Sequence, residues 1–177
     1  MLYTGKGDGG TTKVFDCDQK RISKSSELPE ALGALDELNA FLGFVKMRTG
    51  KSERIKTVIR NTQEALFIIQ AQTAGADKKL AEGAVGEMEK MIGEIEKEIP
   101  PITGFSIAGG TELSALLDVA RTFARRAERR LTAVSEAGVR EIPADTKAYM
   151  NRLSSLLFAL ARLANHEAGV PEENPRY

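Results

Sequence analysis

Residues 111–136 read TELSALLDVARTFARRAERRLTAVSE. Within them Leu113, Leu117, Ala120, Ala124, Ala127, Leu131 and Val134 recur at steps of three and four, the spacing of one buried face of an α-helix. Thr111 has an N-cap side chain, Glu112 behind it complements the positive end of the helix dipole, and Gly138 closes the segment. Three alanines on the inward face let a neighbouring helix approach closely. A helix of this kind needs partners, and the rest of the chain supplies them.

Downstream, Pro143 opens a further helix that ends near Gly169, with Met150, Leu153, Leu157, Leu160 and Ala164 inward. Upstream, Pro100, Pro101, Gly104, Gly109 and Gly110 make residues 100–110 a loop. Before it a helix is expected from about Lys78 to Ile99, with Met88, Ile92, Ile95 and Ile99 inside. Another is expected from about Ser52 to Gly75, around Ile55, Ile59, Leu66 and Ile69. The first helix carries Leu28, Leu32, Leu35, Leu38, Leu42 and Val45, with Pro29 in its opening turn and Gly50 after its end. Residues 1 to about 26 are polar and Gly-rich and lack a helical period, so they read as a loop. The expectation is an all-α, five-helix up-and-down bundle over 27–170, with an N-terminal loop over 1–26, in a single domain spanning 1–177.

Charge and composition narrow the function. Twenty-five Lys and Arg balance 25 Asp and Glu, so the chain lacks the basic excess of a general nucleic-acid binder. The charge is uneven, with acidic residues crowded over Glu82–Glu98 and five arginines between Arg121 and Arg130. Concentrated positive charge of that extent suits a small polyanion. Cys17 is the lone cysteine and reads as a passive residue. The single histidine, His166, has no nucleophile elbow to serve, which excludes a Ser-His-Asp hydrolase. It also excludes a di-iron carboxylate bundle, which needs two Glu-x-x-His pairs. No signal peptide and no membrane-length apolar run is seen, and the expected setting is the cytoplasm without membrane partners.

Four groups of residues could carry chemistry. Thr4, Gly5, Lys6, Gly7, Asp8, Gly10, Thr11 and Thr12 combine flexible backbone, an ammonium and hydroxyls, which suits a triphosphate. No Gly-Lys-Ser/Thr opens a helix there, so it is not a Walker A loop, and an unstructured tail is the competing reading. On the 111–136 helix, Arg121, Arg125 and Glu128 share a stripe beside the apolar face, and Arg126 with Arg130 forms a second pair about 100° round. A solvated basic face is the alternative. On the first helix Asp36 and Asn39 adjoin the leucine face, and Gly33 and Gly43 suggest a close approach by another chain or ligand. On the last helix Asn151 and Ser155 offer an amide and a hydroxyl.

Five stretches together resemble the PduO-type ATP:cob(I)alamin adenosyltransferase family across nearly the whole chain. They are Tyr3-Thr4-x-x-Gly7-Asp8-x-Gly10, Glu30-Ala31-x-Gly33-x-x-Asp36-Glu37-Leu38-Asn39, and Gly109-Gly110-Thr111-Glu112-Leu113-Ser114. The others are Ala120-Arg121-Thr122-x-x-Arg125-Arg126-Ala127-Glu128-Arg129-Arg130 and Tyr149-x-Asn151-Arg152-Leu153-Ser154. The resemblance implies transfer of the 5′-deoxyadenosyl group of ATP to Co(I) of cobalamin by a homotrimer with interfacial active sites. Mg²⁺ accompanies the triphosphate, and cobalamin is a substrate. An electron-donor reductase and an adenosylcobalamin-dependent enzyme are the implied partners.

The resemblance also assigns residues. Thr4, Gly7, Asp8, Gly10 and Thr11 lie near the nucleotide, and Lys24 contacts phosphate. Arg125 and Asn151 hold ATP, with Arg126 and Glu128 in the same signature. Asp36 pairs across the interface with Arg121, and Phe105 closes the lower face of the corrinoid. The family pattern has a basic residue where Gly5 stands, Thr where Lys6 stands, and Asp in place of Ser25. A binding protein for the same two ligands, or a purely structural bundle, would keep much of this pattern; turnover separates the first and nucleotide binding the second.

Overall fold

The structure is a computed structural model that describes residues 2–15 and 20–176. Cys17, read as passive, lies outside the described residues. Five helices form as the apolar spacing demands: α1 Glu27–Met47, α2 Glu53–Thr73, α3 Ala84–Glu98, α4 Glu112–Glu136 and α5 Ala144–Glu167. α1 packs on α2 and α4, α4 on α5, and α5 on α3, so the spatial order is α2-α1-α4-α5-α3. α5 is the most enclosed, burying an almost unbroken run from Leu156 to Asn165 apart from half-buried Phe158. The alanines of α4 make this possible: Ala120, Ala124 and Ala127 are fully buried where α4 is clasped between α1 and α5. Expected core positions are buried throughout except Leu32, Ile92 and Leu113, which are half-buried at its edge.

Two readings are corrected. The stretch over 1–26 is not all loop, because β1 Thr11–Lys13 and β2 Arg21–Ser23 pair antiparallel, with Thr12 opposite Ile22. Strands of three residues are too short to display an alternating pattern. Ile22 and Val14 lay the hairpin against the core. The third helix starts at Ala84 and not near Lys78. Gly83 at φ +80° takes a left-handed conformation that interrupts the helix, although Leu80 before it is still buried. No helix among the described residues is long and apolar enough to cross a membrane.

Candidate active site

Where α4 begins, the chain is fixed by one buried amide. Asn165 on α5 accepts at Oδ1 from the Thr111 N–H at 2.9 Å and the Thr111 hydroxyl at 3.1 Å, and its Nδ2 donates to the Gly109 carbonyl at 2.9 Å. Gly110 stands at φ +99°, and a Cβ there would lie 2.5 Å from Asn165 Oδ1. Glycine at 110 is therefore required twice, by backbone conformation and by the space the amide occupies. Thr111 Oγ1 accepts from the Ser114 N–H at 3.1 Å, the cap read from the sequence.

This turn ends the loop over 100–110, and the loop with α4 and α5 encloses a cleft of about 590 Å³. Ile102, Phe105 and Phe158 give it an apolar wall; Arg121, Arg125, Ser154 and Ser155 give it a polar one. Phe105 is 79% exposed, an aromatic ring turned away from the core. Arg121 is held at 3.3 Å by Asp118, a buried carboxylate one turn earlier, and its guanidinium lies 5.9 Å from the Phe158 ring centroid. Arg125 is exposed, facing the cleft one turn further on.

The other arginine pair has a different use. Arg126 is ion-paired to Glu37 and stacks 4.8 Å from the Phe123 centroid, while Arg130 meets Glu30 at 3.3 Å. Those contacts join α4 to α1. Glu128 accepts from Asn151 Nδ2 at 2.9 Å, Asn151 Oδ1 accepts from Arg152 at 2.7 Å, and Arg152 reaches Glu89 at 2.8 Å. Glu128 and Asn151 are thus one polar unit across α4 and α5. Asp36 is exposed on α1, and the carboxylate that Arg121 meets within the chain is Asp118. Gly43 does admit a close neighbour, Gln63 of α2, whereas among the described residues nothing lies within 4 Å of a Cβ placed at Gly33.

The N-terminal loop is folded by its own contacts. Gly5 and Gly10 take positive φ, and Asp8 and Gly10 N–H groups donate back to the Gly5 and Gly7 carbonyls. Lys24 donates its backbone N–H to the Gly10 carbonyl at 2.9 Å, and its ammonium rests against Gly7, where a Cβ would lie 3.1 Å from Nζ. Arg21 binds the Lys6 carbonyl, the Thr11 carbonyl and Thr11 Oγ1, fixing Lys6 and Thr11 relative to β2. Thr4 Oγ1 accepts from the Lys6 N–H at 3.4 Å, and Thr12 is half-buried beside Thr11 in β1.

Sequence reasoning missed Arg21, Asp118, Phe158 and Asn165. Asn165 left a usable signal, a polar residue amid the apolar face of α5. Arg21 left none, because its acceptors are mainly backbone carbonyls.

Fold and site together define a helical bundle with a half-cationic, half-aromatic cleft on the flank of α4 and α5 and a glycine-bearing basic loop. The chain belongs to the Cobalamin adenosyltransferase family, whose model matches residues 2–164. It is 36% identical over 175 residues to corrinoid adenosyltransferase PduO of Citrobacter freundii, an alignment covering 94% of this chain and 50% of that protein. To the corrinoid adenosyltransferase of Bacillus subtilis it is 34% identical over 176 residues, covering 96% and 89%. The chain thus spans half the length of the Citrobacter PduO protein and nearly all of the Bacillus one. Its fold matches a variant PduO-type ATP:corrinoid adenosyltransferase from Lactobacillus reuteri, complexed with cobalamin and ATP, at TM-score 0.92 and 28% identity, over 99% of this chain and 97% of that one.

Proposed function

We propose that the chain transfers the 5′-deoxyadenosyl group of ATP to Co(I) of a corrinoid, releasing triphosphate, as one cytoplasmic domain assembled into a homotrimer. The observation that carries this reading is the cleft that sets Arg121 and Arg125 against Phe105, Ile102 and Phe158. It offers cations to a polyphosphate and an apolar face to a flat macrocycle within one enclosure. Family membership and the relatives' names support it.

The cobalt belongs to the substrate. Its electron pair forms the Co–C bond at C5′ while the C5′–O bond breaks, and that bonding pair leaves with the triphosphate. No side chain must act as nucleophile or take a proton, which suits a cleft whose described lining holds no Cys or His. The protein's part is positioning and stabilisation of the leaving charge. Arg125, Lys24 and Lys6 are assigned to the phosphates. Thr4, Gly5, Gly7, Asp8, Gly10, Thr11 and Thr12 form the loop that wraps the nucleotide, with Arg126, Glu128 and Asn151 beside it. Asp36 of one subunit is assigned to meet Arg121 of another. Mg²⁺ would be held chiefly by the phosphate oxygens, whose charge it neutralises. Among the described residues no three His, Cys, Asp or Glu side chains converge into a resident site, and this cation commonly takes phosphates with only one or two carboxylates.

Phe105 is assigned to the lower face of the corrin. An apolar ring there displaces the axial ligand, which destabilises Co(II) and eases its one-electron reduction by a partner reductase. The adenosylated product would pass to an adenosylcobalamin-dependent enzyme. The test is anaerobic mixing of the protein with Mg·ATP and chemically reduced cobalamin. Loss of the Co(I) absorbance with formation of a light-sensitive Co–C product is expected; persistence of Co(I) refutes the assignment.

A further inference from the structure

We propose that Arg162 is a positioning residue for Phe105, acting through a C-terminal strap over residues 170–176; this deepens the function proposed above and rests on it for its catalytic consequence. Arg162 lies one turn beyond Phe158 on α5 and is 7% exposed. A guanidinium so enclosed requires partners, and Pro100 and Glu172, far apart in the chain, supply them. Its Nε is ion-paired with Glu172, and its Nη2 donates to the Pro100 carbonyl at 2.7 Å.

The strap begins at Gly169, whose φ of +66° turns the chain away from the helix, while the Val170 N–H bonds back to the Asn165 carbonyl at 2.9 Å. It then runs beside the Phe105 loop. The Glu173 backbone carbonyl accepts from the Ile107 N–H at 2.7 Å, and Asn174 Nδ2 donates to the Phe105 carbonyl at 2.9 Å. A Cβ at Gly104 would lie 3.4 Å from that amide, so glycine leaves room for the crossing.

Phe105 is too exposed for burial of its own ring to fix where it stands. Its backbone must be held instead, and the strap's Asn174 donates the hydrogen bond to its carbonyl. Arg162 anchors both parts, the strap at Glu172 and the start of the loop at Pro100. A charge buried in the bundle core thereby sets the height of the aromatic wall over the cleft.

The test uses full-length protein carrying Glu172→Gln with Asn174→Ala, two changes outside the proposed ligand contacts, and separately Arg162→Met. Hydrogen exchange of the ligand-free protein is read over residues 100–110. The double variant should exchange the Ile107 amide at least about fivefold faster, with α4 protection unchanged. Equal exchange in wild type and double variant overturns the proposal, whatever the protein's activity. In turnover, kcat should fall roughly tenfold while KM for ATP stays within about twofold, and electron paramagnetic resonance of bound Co(II) should show more of the axially ligated form. If Phe105→Ala slows turnover and the strap variants do not, the positioning role is overturned. If wild type fails to consume Co(I), the proposed function falls, and the exchange result still decides whether the strap holds the loop. Arg162→Met should reproduce the double variant; if it folds cooperatively yet exchanges like wild type, Arg162 is not the anchor.

Discussion

Gly110→Ala isolates what fixes the turn between the 100–110 loop and α4. The new Cβ would lie 2.5, 2.6 and 2.8 Å from Oδ1, Nδ2 and Cγ of Asn165, so that side chain must leave its position. Leaving breaks the bonds to Thr111 N–H, Thr111 Oγ1 and Gly109 O. Intramolecular hydrogen bonds contribute about 1 kcal/mol each, giving roughly 2–3 kcal/mol for the three. Alanine at φ +99° adds strain on the order of 1–3 kcal/mol. The sum is about 3–6 kcal/mol, equivalent to a fall in Tm of roughly 6–24 °C for a chain of this size. Urea denaturation followed by circular dichroism measures it. Asn165→Ala alone should cost roughly 2–3 kcal/mol, because it loses the same three bonds without the strain. Since both substitutions remove one set of bonds, the double variant should fall short of additivity by roughly that amount. A cost for Gly110→Ala below about 1 kcal/mol, or strict additivity, would refute this account of the turn.

Three other outcomes are expected. Phe105→Ala should lower adenosylation at least about tenfold with ATP affinity little changed; turnover within twofold of wild type rules out its role as the lower wall. Arg121→Ala should leave the buried Asp118 without its cation, costing on the order of 1–3 kcal/mol in denaturant melts, and should reduce activity; Arg121→Lys restoring full turnover would show that the planar guanidinium is dispensable. Burial pushes the Tyr149 phenol up to about 12, an effect the Thr62 hydroxyl partly offsets. A raised folded pKa makes this contribution whole below pH 10 and lost as pH climbs through 12, by about 2–3 kcal/mol. Tyr149→Phe should flatten that part of the pH–stability curve, and identical curves for the two proteins would contradict the burial effect.

The helices were legible because periodic burial is a local property. Leu117, Ala120, Ala124 and Ala127 repeat along α4 in the order in which they are buried, and Thr111 caps where its hydroxyl predicts. Arg121, Arg125 and Phe105 could be nominated one by one from residue type and family resemblance. Their meeting in one cleft could not, since Phe105 stands on a loop without periodicity and its distance from α4 depends on contacts far along the chain. The hairpin was hidden for a related reason: at three residues a strand is too short to write a pattern.

By itself, then, the sequence determined the helical class, the faces that pack, the glycine turn before α4, and the supply of cations. Only the tertiary structure decided how those cations divide. Arg121 and Arg125 face the cleft, whereas Arg126 and Arg130 are drawn to Glu37 and Glu30. It also brought Asn165, Arg162 and the C-terminal strap to the loop over 100–110. The physical reason is range: helical spacing acts over four residues, whereas buried polar groups choose partners 54 or 62 positions away because no water is there to substitute.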